Sequence, residues 1–98
     1  MSLRGKPVVE QAVLADGRAL TVRVAVPEDP YVSKRELDTV GVELLAGDEV
    51  LASLTSTLSP EQTSEARRLA LEIKHGLESG RLEPRAGAIE PIVGKAGE

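Results

Sequence analysis

The fold of this chain is best predicted from residues 7–26, which read PVVEQAVLADGRALTVRVAV. Two apolar-rich runs flank Asp16-Gly17, a dipeptide that tolerates the positive φ angles of a two-residue type I′ turn. The apolar residues of the second run recur with period two, at Leu20, Val22, Val24 and Val26. Such alternation is typical of a strand with one buried face, so the segment predicts a β-hairpin.

A two-residue turn also determines which residues face each other across this hairpin. It places on one face the pairs Val13–Leu20, Gln11–Val22 and Val9–Val24. On the other face it sets Glu10 against Arg23, a favourable cross-strand charge pair. The turn chemistry and the charge pattern therefore predict the same register.

A second hairpin is predicted after the proline-containing break at residues 27–30. Two apolar triplets alternate there, Val40, Val42, Leu44 and Val50, Ala52, Leu54. Placing both triplets on one face requires an odd-length connection, which a three-residue loop with a left-handed Gly47 and an adjoining bulge provides. The alternative is a tighter Gly47-Asp48 turn, which sets Val42 against Ser53.

One helix is predicted over about residues 60–79. Ser59 is a favourable N-cap, Pro60 suits the first helical position, and Gln62 stands where a capping box needs it. A buried stripe follows at helical spacing, comprising Ala66, Leu69, Ala70, Ile73 and Leu77. Gly80 is suited to close the helix in the left-handed conformation.

These elements predict an α+β domain over residues 7–80: a four-stranded antiparallel sheet made of two hairpins, with the helix packed on one face. Residues 1–6 are expected to be a flexible N-terminus. Residues 81–98 contain two prolines and three glycines and predict an irregular C-terminal arm. The arm also holds four large apolar residues, Leu82, Ile89, Ile92 and Val93. It is expected either to lie across its own domain or to dock on a neighbouring subunit.

The composition excludes several functional classes. The 98 residues include no Cys, Phe or Trp and a single Tyr, so disulfides and thiolate metal sites are excluded and the core must be aliphatic. A net charge of −4 argues against nucleic acid as a partner, and the basic pairs Lys34-Arg35 and Arg67-Arg68 are interpreted as solvated surface. Neither a membrane-spanning run nor a signal peptide is recognised, so the expected location is cytoplasmic and no membrane partner is expected.

The second face of the predicted sheet carries few charges. In the predicted register Val8, Ala12, Leu14, Leu45 and Leu51 form an apolar patch on this face. One helix cannot cover both faces of a sheet, and a contiguous apolar patch usually marks a contact site. We therefore expect a non-enzymatic protein–protein interaction module that self-associates, through this face or an edge strand, as a homodimer or larger homo-oligomer. The alternative is that the C-terminal arm covers the patch within one chain.

No catalytic arrangement emerges from the sequence. His75 is the only histidine, and its helical position directs it to solvent, so we expect no catalytic residue, metal site or cofactor. The richest polar group lies in the loop at residues 27–38 and comprises Asp29, Tyr31, Lys34, Arg35 and Glu36. The second functional hypothesis is that this loop binds a small molecule or catalyses a reaction on one.

Overall fold

The computed structural model describes residues 7–26, 40–56 and 58–95. Their elements are β1 (Val8–Val13), β2 (Ala19–Ala25), β3 (Val40–Ala46), β4 (Glu49–Ser56), α1 (Thr63–Glu78) and α2 (Ala86–Lys95). The strands form one antiparallel sheet in the order β1-β2-β3-β4, so each pairs with its neighbour in sequence. The α+β class and the sheet of two hairpins are confirmed. The expectation of a single helix is wrong, because two are present.

Both helices contribute to one aliphatic core. α1 contacts β1 and β2, while α2 contacts β4 and α1. The cluster of buried residues comprises Ala12, Leu20, Val22, Val24, Val26, Val40, Val42, Leu44, Ala52, Leu58, Ala66, Leu69, Ala70, Ile73, Leu77, Ile89 and Val93. The helices thus share one side of the sheet and cover it together.

The first hairpin forms, but its predicted register is wrong by one residue. Ala12 stands opposite Leu20, where the sequence predicted Val13. Because side chains alternate along a strand, this slip moves every side chain of β1 to the opposite face. Glu10 consequently lies on the same side as α1, and its Oε1 is 3.8 Å from Nζ of Lys74.

The slip follows from the connection between β1 and β2. The N–H of Leu14 donates to the carbonyl of Arg18 at 2.8 Å, so the loop contains three residues rather than two. Gly17 alone in this loop has a positive φ, of 90°, as expected where a type I turn is followed by a left-handed residue. The N–H of Arg18 donates to Oδ1 of Asp16 at 3.0 Å, which lowers the pKa of that carboxyl below its ordinary value. Asp16 therefore stabilises the loop by accepting a hydrogen bond, and it does not adopt the positive φ that the predicted type I′ turn requires.

The second hairpin uses the tighter connection. Ala46 stands opposite Glu49, so only Gly47 and Asp48 form the turn, and the three-residue loop predicted first is wrong. Gly47 has a φ of 61°, whereas Asp48 does not have a positive φ. A positive φ at the first central position alone is typical of a type II′ turn, which favours glycine there.

A β-bulge returns most of the two apolar triplets of this hairpin to one face. Leu51 is the extra residue, because the register shifts by one across it. Beyond the bulge, Val42 stands opposite Leu54 and not opposite Ser53, so these two residues share one face, as predicted. Val50 precedes the bulge and is 50% exposed, so the prediction that it shares a covered face with Ala52 and Leu54 is wrong.

Ser56 is a buried polar side chain that connects three segments of the chain. Its hydroxyl donates to the carbonyl of Val40 at 2.8 Å and accepts the N–H of Leu58 at 3.2 Å. We expect Ser56→Ala to lower the free energy of unfolding by about 1–3 kcal/mol, because both bonds are lost in a buried setting. Chemical denaturation measures this loss. Ser53→Ala, at an exposed position of the same strand, is the control, and an equal loss in both variants would contradict the expectation.

α1 begins three residues later than predicted. Residues 59–61 form a turn in which the N–H of Gln62 donates to the carbonyl of Ser59 at 3.1 Å, and Gln62 becomes the N-cap. Oε1 of Gln62 accepts the N–H of Ser59 at 2.8 Å, which is one half of the predicted capping box. Gly80 follows the helix with a φ of 80°, so its predicted role is confirmed.

The irregular arm expected after residue 80 is replaced by α2. Ile89 and Val93 are four residues apart, share one helix face and are buried in the core. Pro91 lacks the N–H that would bond the carbonyl of Gly87, but Gly87 is exposed, so water can take that place. Apolar burial against the sheet outweighs the poor helix propensity of proline and glycine. This part of the arm therefore lies on its own domain.

Candidate functional site

The side of the sheet away from the helices is more polar than the sequence predicted. We call it the outer face; its residues are Val9, Gln11, Val13, Ala19, Thr21, Arg23, Ala25, Gly41, Glu43, Leu45, Val50, Ser53 and Thr55. Threonine, serine, small residues and a charged pair occupy most of these positions. The large apolar side chains exposed there lie near its two edges, at Val9, Val13 and Val50.

Most residues of the predicted self-association face lie elsewhere. Ala12 is fully buried in the core, and Val8 and Leu14 pack partly against it, because the slip in β1 turns them toward the helices. Leu51 also packs partly against the core at the bulge. Of the five, only Leu45 remains on the outer face. The five residues therefore do not form one exposed face, while self-association itself stays a prediction.

A charged pair occupies the middle of the outer face. Nη1 of Arg23 lies 2.8 Å from Oε1 of Glu43, and the two side chains are 34% and 31% exposed. This pair replaces the Glu10–Arg23 contact predicted from the sequence. Beside it is a shallow depression of about 450 Å³, also lined by Ala25, Gly41, Ser53, Leu54 and Thr55. The depression exists because the residues that line it are mostly small, and the charged pair forms one of its borders.

The free edge of β1 combines apolar side chains with main-chain polar groups. Val9 is 47% exposed and Val13 is 53% exposed. Gln11 lies between them, and its Nε2 donates to Oγ1 of Thr21 at 3.2 Å. The six residues of β1 include no proline or lysine, and its pairing with β2 shows no bulge. Proline, lysine and bulges are features that natural edge strands commonly use to prevent pairing with other chains, and β1 has none of them.

Glu78, the last residue of α1, reaches this edge. Its Oε2 accepts the N–H of Val13 at 3.1 Å, across 65 positions of sequence. That N–H therefore points away from β2. Because strand residues alternate, the N–H and carbonyl groups of Val9 and Gln11 point the same way. Among the described residues, no strand pairs with this side of β1.

The opposite edge of the sheet is less regular. β4 contains the bulge at Leu51, and Glu49 is exposed at its start. A bulge twists the strand and interrupts the evenly spaced groups that a new strand would need. Of the two edges, β1 is the better template for pairing.

The predicted polar ligand site cannot be compared with the structure, because Asp29, Tyr31, Lys34, Arg35 and Glu36 lie outside the described residues. His75 is exposed, as predicted. No group of three or more His, Cys, Asp or Glu among the described residues is arranged to hold a metal ion. In the same part of the chain, no helix has the length and apolar character needed to cross a membrane.

The contact between Glu78 and Val13 had no signal in the sequence. It joins the end of the first helix to the first strand, and neither residue belongs to a local motif that would pair them. The exposure of Val9 and Val13 had a weak signal, since a shift of one residue in the hairpin register exchanges the two faces of β1.

The chain matches no protein-family model, no curated protein and no solved structure at a significant level. Its function is therefore inferred from the geometry of its own surfaces. Among the surfaces described, the free edge of β1 brings together exposed apolar side chains and outward-pointing backbone groups.

Proposed function

We propose that this protein is a non-enzymatic interaction module that self-associates by antiparallel pairing of β1 with β1 of a second copy. The observation that supports this is the free edge of β1, where Val9 and Val13 are half exposed on either side of Gln11. An edge of this kind is a template for an additional strand. Of the two surfaces expected from the sequence, the proposal assigns self-association to an edge strand rather than to the apolar face. The expected assembly is still a homodimer.

The edge suits a second copy because it is complementary to itself. A twofold axis at Gln11 places Val9 of each copy opposite Val13 of the other. Both residues have N–H and carbonyl groups directed to the edge, so each pair can exchange two hydrogen bonds. The same register sets Glu10 opposite Ala12, which keeps the two Glu10 carboxylates from facing each other.

The expected complex is weak. Pairing would join two four-stranded sheets into one of eight strands, but the contact would be limited to one strand and its flanking side chains. Stable interfaces bury about 1,200–2,000 Å² in total, and a single strand pair lies at or below the lower limit. We therefore expect a dimer that forms at micromolar concentration and dissociates on dilution.

Val9→Lys tests which edge is used. The substitution places a charge in both Val9–Val13 pairs of the dimer and should weaken dimerisation about tenfold or more. Val50→Lys is the matched control, because Val50 is 50% exposed and lies at the opposite edge of the same face. Sedimentation equilibrium over a dilution series measures both dissociation constants.

Two outcomes would contradict the proposal. A wild-type protein that stays monomeric at high micromolar concentration would exclude a dimer of this strength. A dimer that Val50→Lys disrupts and Val9→Lys leaves intact would assign self-association to the β4 edge instead.

A second candidate function is small-molecule binding at the depression beside Arg23 and Glu43. The observation in its favour is its position: Ala25 and Gly41 line it at the ends of β2 and β3, the strands that residues 27–39 connect. The polar residues predicted as a ligand site belong to that connecting segment. Thermal-shift screening with small charged compounds tests this candidate. A stabilising compound should lose its effect in Arg23→Ala and keep it in Arg18→Ala, a variant at an exposed loop position.

A further inference from the structure

We propose that Glu78 restrains self-association by occupying the backbone donor that a second copy needs. This inference rests on the proposed pairing of β1 with β1. Its physical basis is the hydrogen bond from the N–H of Val13 to Oε2 of Glu78, 3.1 Å long, at the edge where the second strand would add.

The carboxylate and the second copy compete for one hydrogen. In the register centred on Gln11, the N–H of Val13 must donate to the carbonyl of Val9 in the other copy. One N–H cannot make two full hydrogen bonds, so the Glu78 side chain has to leave first. A carboxylate that remained nearby would also repel the incoming carbonyl oxygen. The dimer therefore forms only at the expense of two Glu78 contacts, one in each copy.

The helix itself gives no reason for a carboxylate at this position. Glu78 is the last residue of α1, and a negative charge at a helix C-terminus lies at the unfavourable end of the helix dipole. Within the described part of the chain, Glu78 forms no ion pair. Its defined interaction there is with the edge of β1, so its effect is expected at that edge.

The contact is also suited to reversible release. Glu78 is exposed, so its carboxylate can return to water when a second strand arrives. An exposed hydrogen bond to a charged group contributes modestly after this exchange with water. Removing both contacts should therefore tighten the dimer by about three- to tenfold rather than by orders of magnitude.

Glu78→Ala tests this inference, with Glu72→Ala as the matched control. Both residues are exposed on α1, and both substitutions change the net charge equally. Sedimentation equilibrium should show a dissociation constant about three- to tenfold lower for Glu78→Ala than for Glu72→Ala. At concentrations where each variant is monomeric, the amide hydrogen of Val13 should exchange with solvent faster in Glu78→Ala. The double variant Val9→Lys/Glu78→Ala should lose the gain in association.

The outcomes separate this inference from the proposed function. If the wild type dimerises and is sensitive to Val9→Lys, but Glu78→Ala and Glu72→Ala have the same dissociation constant, then Glu78 has no restraining role and self-association stands. If neither the wild type nor Glu78→Ala dimerises at high micromolar concentration, both proposals fall. A tighter Glu78→Ala dimer that persists with Val9→Lys would show that Glu78 acts at another surface and would overturn the inference.

Discussion

Replacing Ile89 with alanine should lower the free energy of unfolding by about 2–5 kcal/mol. Ile89 is fully buried in the core, where α2 meets the sheet and α1. Its truncation removes apolar contacts and leaves a cavity that an all-aliphatic core can fill only in part. Because domains of this size are stable by about 5–15 kcal/mol in total, the loss is a large fraction of the stability.

Chemical denaturation followed by far-ultraviolet circular dichroism measures this effect. Ile92→Ala is the matched control, since Ile92 lies on the same helix and is only partly buried, so its truncation should cost less. If residues 86–95 did not pack on the sheet in solution, both substitutions would change the unfolding midpoint little and equally. The comparison therefore tests the helix that the sequence did not predict.

Gly76→Ala should destabilise the protein by about 1–3 kcal/mol, although alanine is the better helix former by about 1 kcal/mol. Gly76 is buried in the last turns of α1, and a Cβ added there would lie 2.6 Å from Cγ of Leu82. The N–H of Leu82 also donates to the carbonyl of Gly76 at 3.0 Å, which holds the two residues together. The side chain of Leu82 would therefore have to move, and its packing would be lost.

A double-mutant cycle shows whether the effect comes from this contact. In a Leu82→Ala background the obstruction is gone, so Gly76→Ala should be neutral or stabilising by up to about 1 kcal/mol. Thermal and chemical denaturation of the four proteins give the coupling energy. A stabilising effect of Gly76→Ala in the wild-type background would mean that the helix end and Leu82 are not packed as described.

Strong periodicity made part of the fold predictable from the sequence. The alternation from Leu20 to Val26 identified the central strand β2, and the glycine after the apolar stripe identified the end of α1. The sequence also predicted that Val42 and Leu54 share a face. That pairing depends on burial, and the chain achieves it with a bulge at Leu51 instead of a longer turn.

The register of β1 could not be derived in the same way. Its sequence VVEQAV places apolar residues on both faces, so either register buries some of them. The length of the loop around Asp16-Gly17 determines the register. The Asp-Gly dipeptide is compatible with both a two-residue turn and the observed three-residue loop. The predicted Glu10–Arg23 pair does not form, because the slip places the two side chains on opposite faces of the sheet. Glu10 contacts Lys74 instead, and Arg23 contacts Glu43.

The sequence does not predict α2, because its proline and glycines indicate an irregular segment despite the helical spacing of its apolar residues. Pro91 and Gly87 indicated an irregular segment, whereas Ile89 and Val93 are spaced as on one helix face. Tertiary burial decides such cases, since a short helix gains most of its stability from the surface that it covers. The candidate edge was not predictable for a related reason. The predicted register of β1 directs Val9 and Val13 to the covered face, whereas the observed register exposes them. No local pattern places Glu78 beside them.

The order of the elements has a consequence for synthesis. Within residues 7–26, 40–56 and 58–95 the four strands precede the two helices, so a ribosome releases the sheet before the segments that cover it. α1 can cover β1 and β2 once it is released, but the covered side of β4 has no helix packed against it until α2 follows. Exposed apolar strands are prone to aggregation and are typical targets of chaperones. The nascent chain is therefore expected to need protection between the release of β4 and the release of α2, which completes the core.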